Sequence, residues 1–482
     1  MTTHPAEGIR AQKNVDRLYR CVSPVDGSVY AERQLTTDRE VDAALTSARE
    51  ATRAWRETPL DERMAVCTRF VEAFVARRSK IAEEITRQMG RPISQTPSEV
   101  RGVEERALAM IALAREGLTD YRPPSKSGFD RFIRREPLGV VFVLAPWNYP
   151  YLTAVNAIVP ALLAGNAVLL KHSEQTFLCA ERFAEAFYET GLPQGVFQVL
   201  HLSHDQSARL IQMEEGADLV CFTGSVEGGS AVQRAAAART DRFVGVGLEL
   251  GGKDAAYVRA DADLDSAAAH LVDGAFYNAG QSCCGVERIY VHDDAYDRFL
   301  ERYVAGVREL RLGDPLDPDT TLGPLVRPRS ATFVRDQIRE AIQSGASELV
   351  DPAEFARDEP GTSYMAPQVL INVNHTMRVM TEETFGPVVG VMKVGSDEEA
   401  VSLVNDSLYG LTASIWTADE AAAVALGARF EVGTVFMNRC DYLDPELAWT
   451  GVKASGRGVT LSRLGYDHLT RPKSFHLHLA AS

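Results

Sequence analysis

Between Leu138 and Val258 the apolar residues come in short runs, LGVVFVLA, NAVLLK, VFQVL, DLVCF, FVGVGLE and AAYV, with stretches of helical character among them. Strands that alternate with helices build βαβ units, and strands this apolar must be covered on both faces. The chain is therefore expected to form a doubly wound, mostly parallel α/β sheet. From Asp263 onward helices and strands alternate again around a proline-rich turn segment, GDPLDPDTTLGPL, which predicts a second α/β domain. Neither an internal repeat nor a low-complexity tract interrupts this plan.

Ahead of the first strand the period is helical. Thr37 and Glu40 form a capping box, and Val41, Ala44, Leu45, Ala48, Ala51 and Trp55 recur on one face; a second long helical stretch is predicted from Glu62 to Met89. The segment YRPPSKSG, Tyr121 to Gly128, reads as a connection.

Charge narrows the ligand class. With 66 acidic against 51 basic residues the net charge is −15, which argues against nucleic acid or an anionic membrane and favours a small molecule. The N-terminal MTTHPAEGIRAQKNVDR has no apolar stretch and no run of eighteen apolar residues follows, so neither a secretory signal nor a membrane span is expected and a cytoplasmic location is predicted. Seven scattered cysteines, without paired Cys-x-x-Cys spacing, predict neither a disulfide scaffold nor a metal site.

In open parallel sheets ligands bind beyond the carboxyl ends of the strands. Two loops occupy that position. LLKHSEQT carries Lys171 and Glu174; a carboxylate there accepts hydrogen bonds from ribose hydroxyls and repels a 2′-phosphate, favouring NAD over NADP. FTGSVEGG carries Gly224 and Ser225, and its glycines permit a phosphate to approach backbone amides. Ser230 stands where a P-loop needs lysine, and the loop alone also suits a tight strand-to-helix turn. Likewise the two adjacent sulfurs of YNAGQSCCG, Tyr277 to Gly285, by themselves suit inert packing better than a nucleophile.

Four ordered stretches resolve that ambiguity: APWNYP, LELGGKD, YNAGQSCCG and EETFGP. Together with SPVDG, GLPQGVF, YGL, GTVFMN and VKASGRG they resemble the aldehyde dehydrogenase superfamily over nearly the whole chain. The resemblance implies a Rossmann-like cofactor domain (1–120 and 141–248), an α/β catalytic domain (249–450), and a small β-hairpin oligomerisation element with the C-terminal tail (121–140 and 451–482). It further implies Cys283 as nucleophile, Glu249 as general base and Asn148 as an oxyanion donor. Trp147, Lys171, Glu174, Gly224, Ser225, Glu383 and Phe385 would line the NAD cleft. Tyr149, Thr153, Asn156, Tyr277, Cys284 and Trp449 would wall the substrate tunnel.

The expected reaction is oxidation of an aldehyde to a carboxylic acid by a homodimer or homotetramer. Attack by Cys283 gives a thiohemiacetal whose oxyanion Asn148 and the Cys283 N–H stabilise, and water activated by Glu249 hydrolyses the resulting thioester. A base at Glu249 points to hydrolysis rather than transfer to coenzyme A. A thiol hydrolase or esterase using Cys283, or a non-catalytic structural relative, is the alternative. His172 and Asp254 depart from the family pattern, as does Trp449-Thr450-Gly451. The polar Thr153 and Asn156 suggest a substrate with a hydroxyl, amide or other polar group.

Overall fold

The computed structural model describes residues 18–479; the remaining N-terminal stretch and the last three residues, which the expected domain boundaries include, lie outside the described residues. Two sheets dominate. In the first, five strands run parallel in the order 245–249, 219–223, 140–145, 167–172, 197–199, and Gly456–Arg457 closes one edge by pairing antiparallel with Leu248 and Glu249. Val140–Ala145 and Ala167–His172 are buried along their whole length, as a sheet covered on both faces demands.

The last apolar run of the sequence, AAYV, departs from its expected neighbours. Asp254–Val258 is a central strand of the second, seven-stranded sheet, parallel to Val286–His292 and to Thr412–Trp416. Only the segment Leu250–Lys253 separates it from Gly245–Glu249 of the first sheet, too short for a crossover within one sheet. The chain changes sheets there, immediately after Glu249.

The capping box forms as expected, with the Thr37 N–H on Glu40 Oε2 at 2.7 Å and the Glu40 N–H on Thr37 Oγ1 at 3.3 Å. The predicted Glu62–Met89 helix is two helices, Leu60–Val75 and Arg78–Met89, with a bend at Arg77 (φ −94°, ψ 6°). The predicted hairpin segment enters a long ribbon: Phe129–Pro137 pairs antiparallel with Thr470–His478, and Tyr121 bridges to Ile133 on the other side. Rings stack across this ribbon, Phe132 on Phe475 at 4.5 Å and Phe129 on His476 at 4.8 Å.

Candidate active site

Each predicted reactive residue lies where a strand of one sheet ends or a loop of the other begins. Asn148 follows the strand Val140–Ala145 and precedes the helix Pro150–Leu163. Glu249 ends its strand. Cys283 sits in the loop between the one-turn helix Tyr277–Gly280 and the strand Val286–His292, where Asn278 and Ala279 hold positive φ (54° and 55°).

A chain of contacts joins these segments. Asn148 Nδ2 donates to the Gln281 carbonyl at 3.2 Å, fixing the amide beside the cysteine loop. The space where Gly252 lacks a Cβ is filled by the Cys283 carbonyl, and that at Gly251 by the Glu383 carboxylate. The Gly252 N–H donates to Glu383 Oε1 at 3.0 Å. These two glycines are thus required by close approach of the nucleophile loop and of Glu383. Phe385, itself at φ 54°, meets Trp147 edge-on at 5.6 Å between ring centroids. Cys283, half-buried, packs against an apolar cluster that contains Cys284, Ala154 and Trp449, and among the described residues its N–H has no hydrogen-bond partner.

Glu249 projects its carboxylate between two hydroxyls: Thr460 Oγ1 donates at 2.6 Å and Thr223 Oγ1 at 3.2 Å. Burial pushes this carboxyl above its ordinary range, opposed by those hydrogen bonds and by Arg106. A cavity of about 30 Å³ lies against it, lined by Thr153, Ala154, Cys221, Trp449 and Thr460 among others, room for about one water. Cys283 and Asn148 do not line this cavity.

The cofactor cleft is built at the ends of the first sheet. Lys171 is buried beside the Tyr19 ring (5.9 Å), and burial pushes its amine down to about 8 against the pull of Glu174. Glu174, exposed, accepts the Arg20 N–H at 3.3 Å. Ser225 caps the helix Val226–Ala237, accepting the Gly228 N–H at 3.1 Å, so its own proton stays free to donate. The glycines of this loop answer to internal packing: a Cβ at Gly224 or Gly228 would come within 2.7 or 2.6 Å of the Phe222 ring. Gly224 also donates its N–H to the Glu249 carbonyl at 3.0 Å, tying the loop to the strand that carries the carboxylate. A free ammonium, an exposed carboxylate and a capped helix N-terminus together suit the ribose hydroxyls and phosphates of a dinucleotide. Glu383, whose carboxyl burial and Glu287 push up to about 8, and Phe385 complete the opposite wall.

Two of the three departures from the family pattern, His172 and Asp254, find a place. His172 is fully buried with neither ring nitrogen partnered, and strand alternation turns it to the face opposite Lys171, so it does not interpose between Lys171 and Glu174. Asp254 is buried under the Gly252 bend and accepts a 2.6 Å hydrogen bond from Thr412 Oγ1.

On the tunnel side the polar residues are engaged internally. Thr153 Oγ1 donates to the Tyr149 carbonyl at 2.9 Å, Asn156 Oδ1 accepts from Arg106 at 3.4 Å, and the Tyr277 hydroxyl lies 2.8 Å from Ser98 Oγ. Tyr149 lies under the Arg91 guanidinium at 4.3 Å. The Cys284 thiol donates to Asp441 Oδ1 at 2.9 Å, and contact with Cys283 and burial raise it well above the ordinary thiol value.

Four functional neighbours escaped the sequence reading: Arg106, Thr223, Thr460 and Asp441. Of these only Arg106 left a signal, a charge on the apolar stripe Val100, Val103, Ala107, Met110 of its helix.

Comparison with known proteins agrees with this architecture. Residues 10–475 match the model of the Aldehyde dehydrogenase family. The succinate semialdehyde dehydrogenase [NAD(P)+] Sad of Escherichia coli is 34% identical over 92% of this chain and 94% of its own. Betaine aldehyde dehydrogenase 2 of Rhizobium meliloti is 35% identical over 94% and 92%. Among solved structures, succinic semialdehyde dehydrogenase from Streptococcus pyogenes in complex with NADP+ superposes with a TM-score of 0.90 at 31% identity, covering 95% of this chain and 100% of that one.

Proposed function

Since this chain belongs to the aldehyde dehydrogenase family and is an NAD(P)-dependent aldehyde dehydrogenase, we propose that Cys283, Glu249 and Asn148 carry out its reaction on a small polar aldehyde, with NAD as the preferred cofactor. The convergence of the Asn148, Glu249–Gly252, Gln281–Cys283 and Glu383–Phe385 segments supports this reading most directly.

The Cys283 thiolate attacks the aldehyde carbon. The alkoxide that forms is met by the second proton of Asn148 Nδ2 and by the unpaired Cys283 N–H, and loss of one such donor typically costs about 3–4 kcal/mol of transition-state stabilisation. Trp147, Lys171, Glu174, Gly224, Ser225, Glu383 and Phe385 would hold NAD(P), which would supply the two-electron acceptor. Cys283 is then acylated. Glu249, deprotonated, takes a proton from a water, and the hydroxide hydrolyses the thioester to acid and free thiol.

Glu174 favours NAD, because its carboxylate would repel a 2′-phosphate. The family boundaries 1–120 with 141–248, 249–450, and 121–140 with 451–482 are read as cofactor domain, catalytic domain and oligomerisation element. Among the described residues no helix is long and apolar enough to cross a membrane, and a cytoplasmic homodimer or homotetramer is the proposed form.

Formation of reduced cofactor at 340 nm across a panel of aldehydes, with NAD, NADP and coenzyme A in parallel, tests the whole scheme. Cys283→Ala should abolish oxidation. Glu249→Gln should give one burst of NADH and then stall as the acyl-enzyme; steady turnover by either variant rejects the assigned role.

A further inference from the structure

The helix Pro97–Leu118 drives a charge into the core of this site. Arg106 is 8% exposed, and its guanidinium donates through Nη1 to the Leu152 carbonyl at 2.8 Å and to Asn156 Oδ1 at 3.4 Å. Among the described residues it forms no ion pair. A guanidinium carries five N–H donors and keeps its charge at any physiological pH, so a buried one ordinarily has a carboxylate against it. Arg91, fifteen residues earlier in the same wall, shows the ordinary solution: it pairs with Glu99, both side chains fully enclosed.

Location gives the unpaired charge its meaning. Burial draws the Arg106 guanidinium below its usual value, while Glu249, Glu99, Cys284 and Cys283 act on it in the opposite direction, so it stands within electrostatic reach of the base and of both sulfurs. Of the three acids within reach, Glu99 is taken by Arg91, and burial pushes Glu249 and Asp441 above the usual carboxylate range. Its two acceptors lie on the helix Pro150–Leu163, whose Thr153, Ala154 and Ala157 face the cavity beside Glu249. Arg106 thus stands behind this helix as a buried cation with hydrogen-bonding capacity to spare and, among the described residues, no ion-pair partner.

We propose that Arg106 is the specificity-determining residue of this enzyme and that it receives a carboxylate borne by the substrate at the end remote from the aldehyde. The inference rests on the aldehyde-oxidising reading above and sharpens it, since that reading leaves the polar group open. The charge discriminates between the two kinds of relative: the geometry suits an ω-carboxy aldehyde and opposes a quaternary ammonium aldehyde, whose cation would be buried against the guanidinium.

The test compares succinate semialdehyde, butanal and betaine aldehyde as substrates of the wild-type enzyme and of Arg106→Gln and Arg106→Lys. Wild type should prefer succinate semialdehyde to butanal by at least tenfold in kcat/KM, with betaine aldehyde poorest. In Arg106→Gln that preference should fall at least tenfold, carried by KM, with partial recovery in Arg106→Lys. Equal losses on succinate semialdehyde and butanal would overturn the proposal by assigning Arg106 to the thiolate or the base, and so would a wild type indifferent to the carboxylate. Absence of reduced cofactor with every aldehyde would instead reject the family-level reading. Should the variants not fold, competition on the wild-type enzyme decides: succinate should inhibit against the aldehyde at least tenfold more strongly than succinamide, and equal inhibition would overturn the assignment.

Discussion

Glu249 shows how one side chain is tuned. A carboxylate removed from water favours its protonated form, whereas hydroxyl donors favour the anion, and here Thr460 and Thr223 act against the burial. The base works only when deprotonated, so turnover must be lost as the pH falls through its pKa. Thr460→Val removes the shorter bond and raises that pKa, moving the acid limb of the kcat profile to higher pH. A charge-assisted hydrogen bond is worth about 1.5 kcal/mol or more, so the acid limb should move up by about one pH unit while the NADH burst persists. An acid limb that stays in place would detach the titration from Glu249. At this scale the sequence exposes what lies in ordered motifs, Cys283, Glu249 and Asn148, since their spacing survives without any knowledge of contacts. It hides Thr460 and Arg106, whose partners are 211 and 50 residues distant along the chain, because only folding brings them together.

Between elements, the buried Arg91–Glu99 pair does the positioning. Glu99, in the first turn of its helix, accepts the Tyr151 and Leu152 N–H groups at 2.9 and 3.1 Å, satisfying donors that open the next helix, while Arg91 donates to the Asn148 carbonyl. The pair therefore fixes where the Pro150–Leu163 helix begins and, through it, the Asn148 amide. Glu99→Gln keeps the side-chain shape but leaves a buried guanidinium unmatched; urea denaturation should show a loss of about 3–5 kcal/mol. A loss below 1 kcal/mol would mean that solvent or rearrangement compensates the charge. The helix start at the Thr37–Glu40 capping box was legible from sequence, whereas the second capping box, Ser203–Gln206, was not read. The bend at Arg77 was not, because Phe70, Phe74, Ile81 and Ile85 keep helical spacing straight through it and neither glycine nor proline marks the turn.

For the molecule as a whole, the doubly wound plan was readable because uniformly apolar strands have few alternatives. The assignment of Asp254–Val258 to the second sheet was not, since periodicity says nothing about which sheet a strand joins. Of the ribbon's two strands, Thr470–His478 is exposed along most of its length, a feature suited to pairing between copies, whereas Phe129–Pro137 is mostly half-buried. Light scattering at micromolar concentration should give two or four times the 52.8 kDa chain mass; a value of one chain would contradict the proposed assembly.

Gly456 pairs with Glu249 at φ 124°, its missing side chain making room for the Leu248 carbonyl, and Thr460 reaches the same carboxylate. Glu249 is thus clamped by a segment translated more than two hundred residues after it. A growing polypeptide on the ribosome already holds Cys283 while the clamp is still unmade, so the carboxylate takes its final setting only when synthesis is nearly finished.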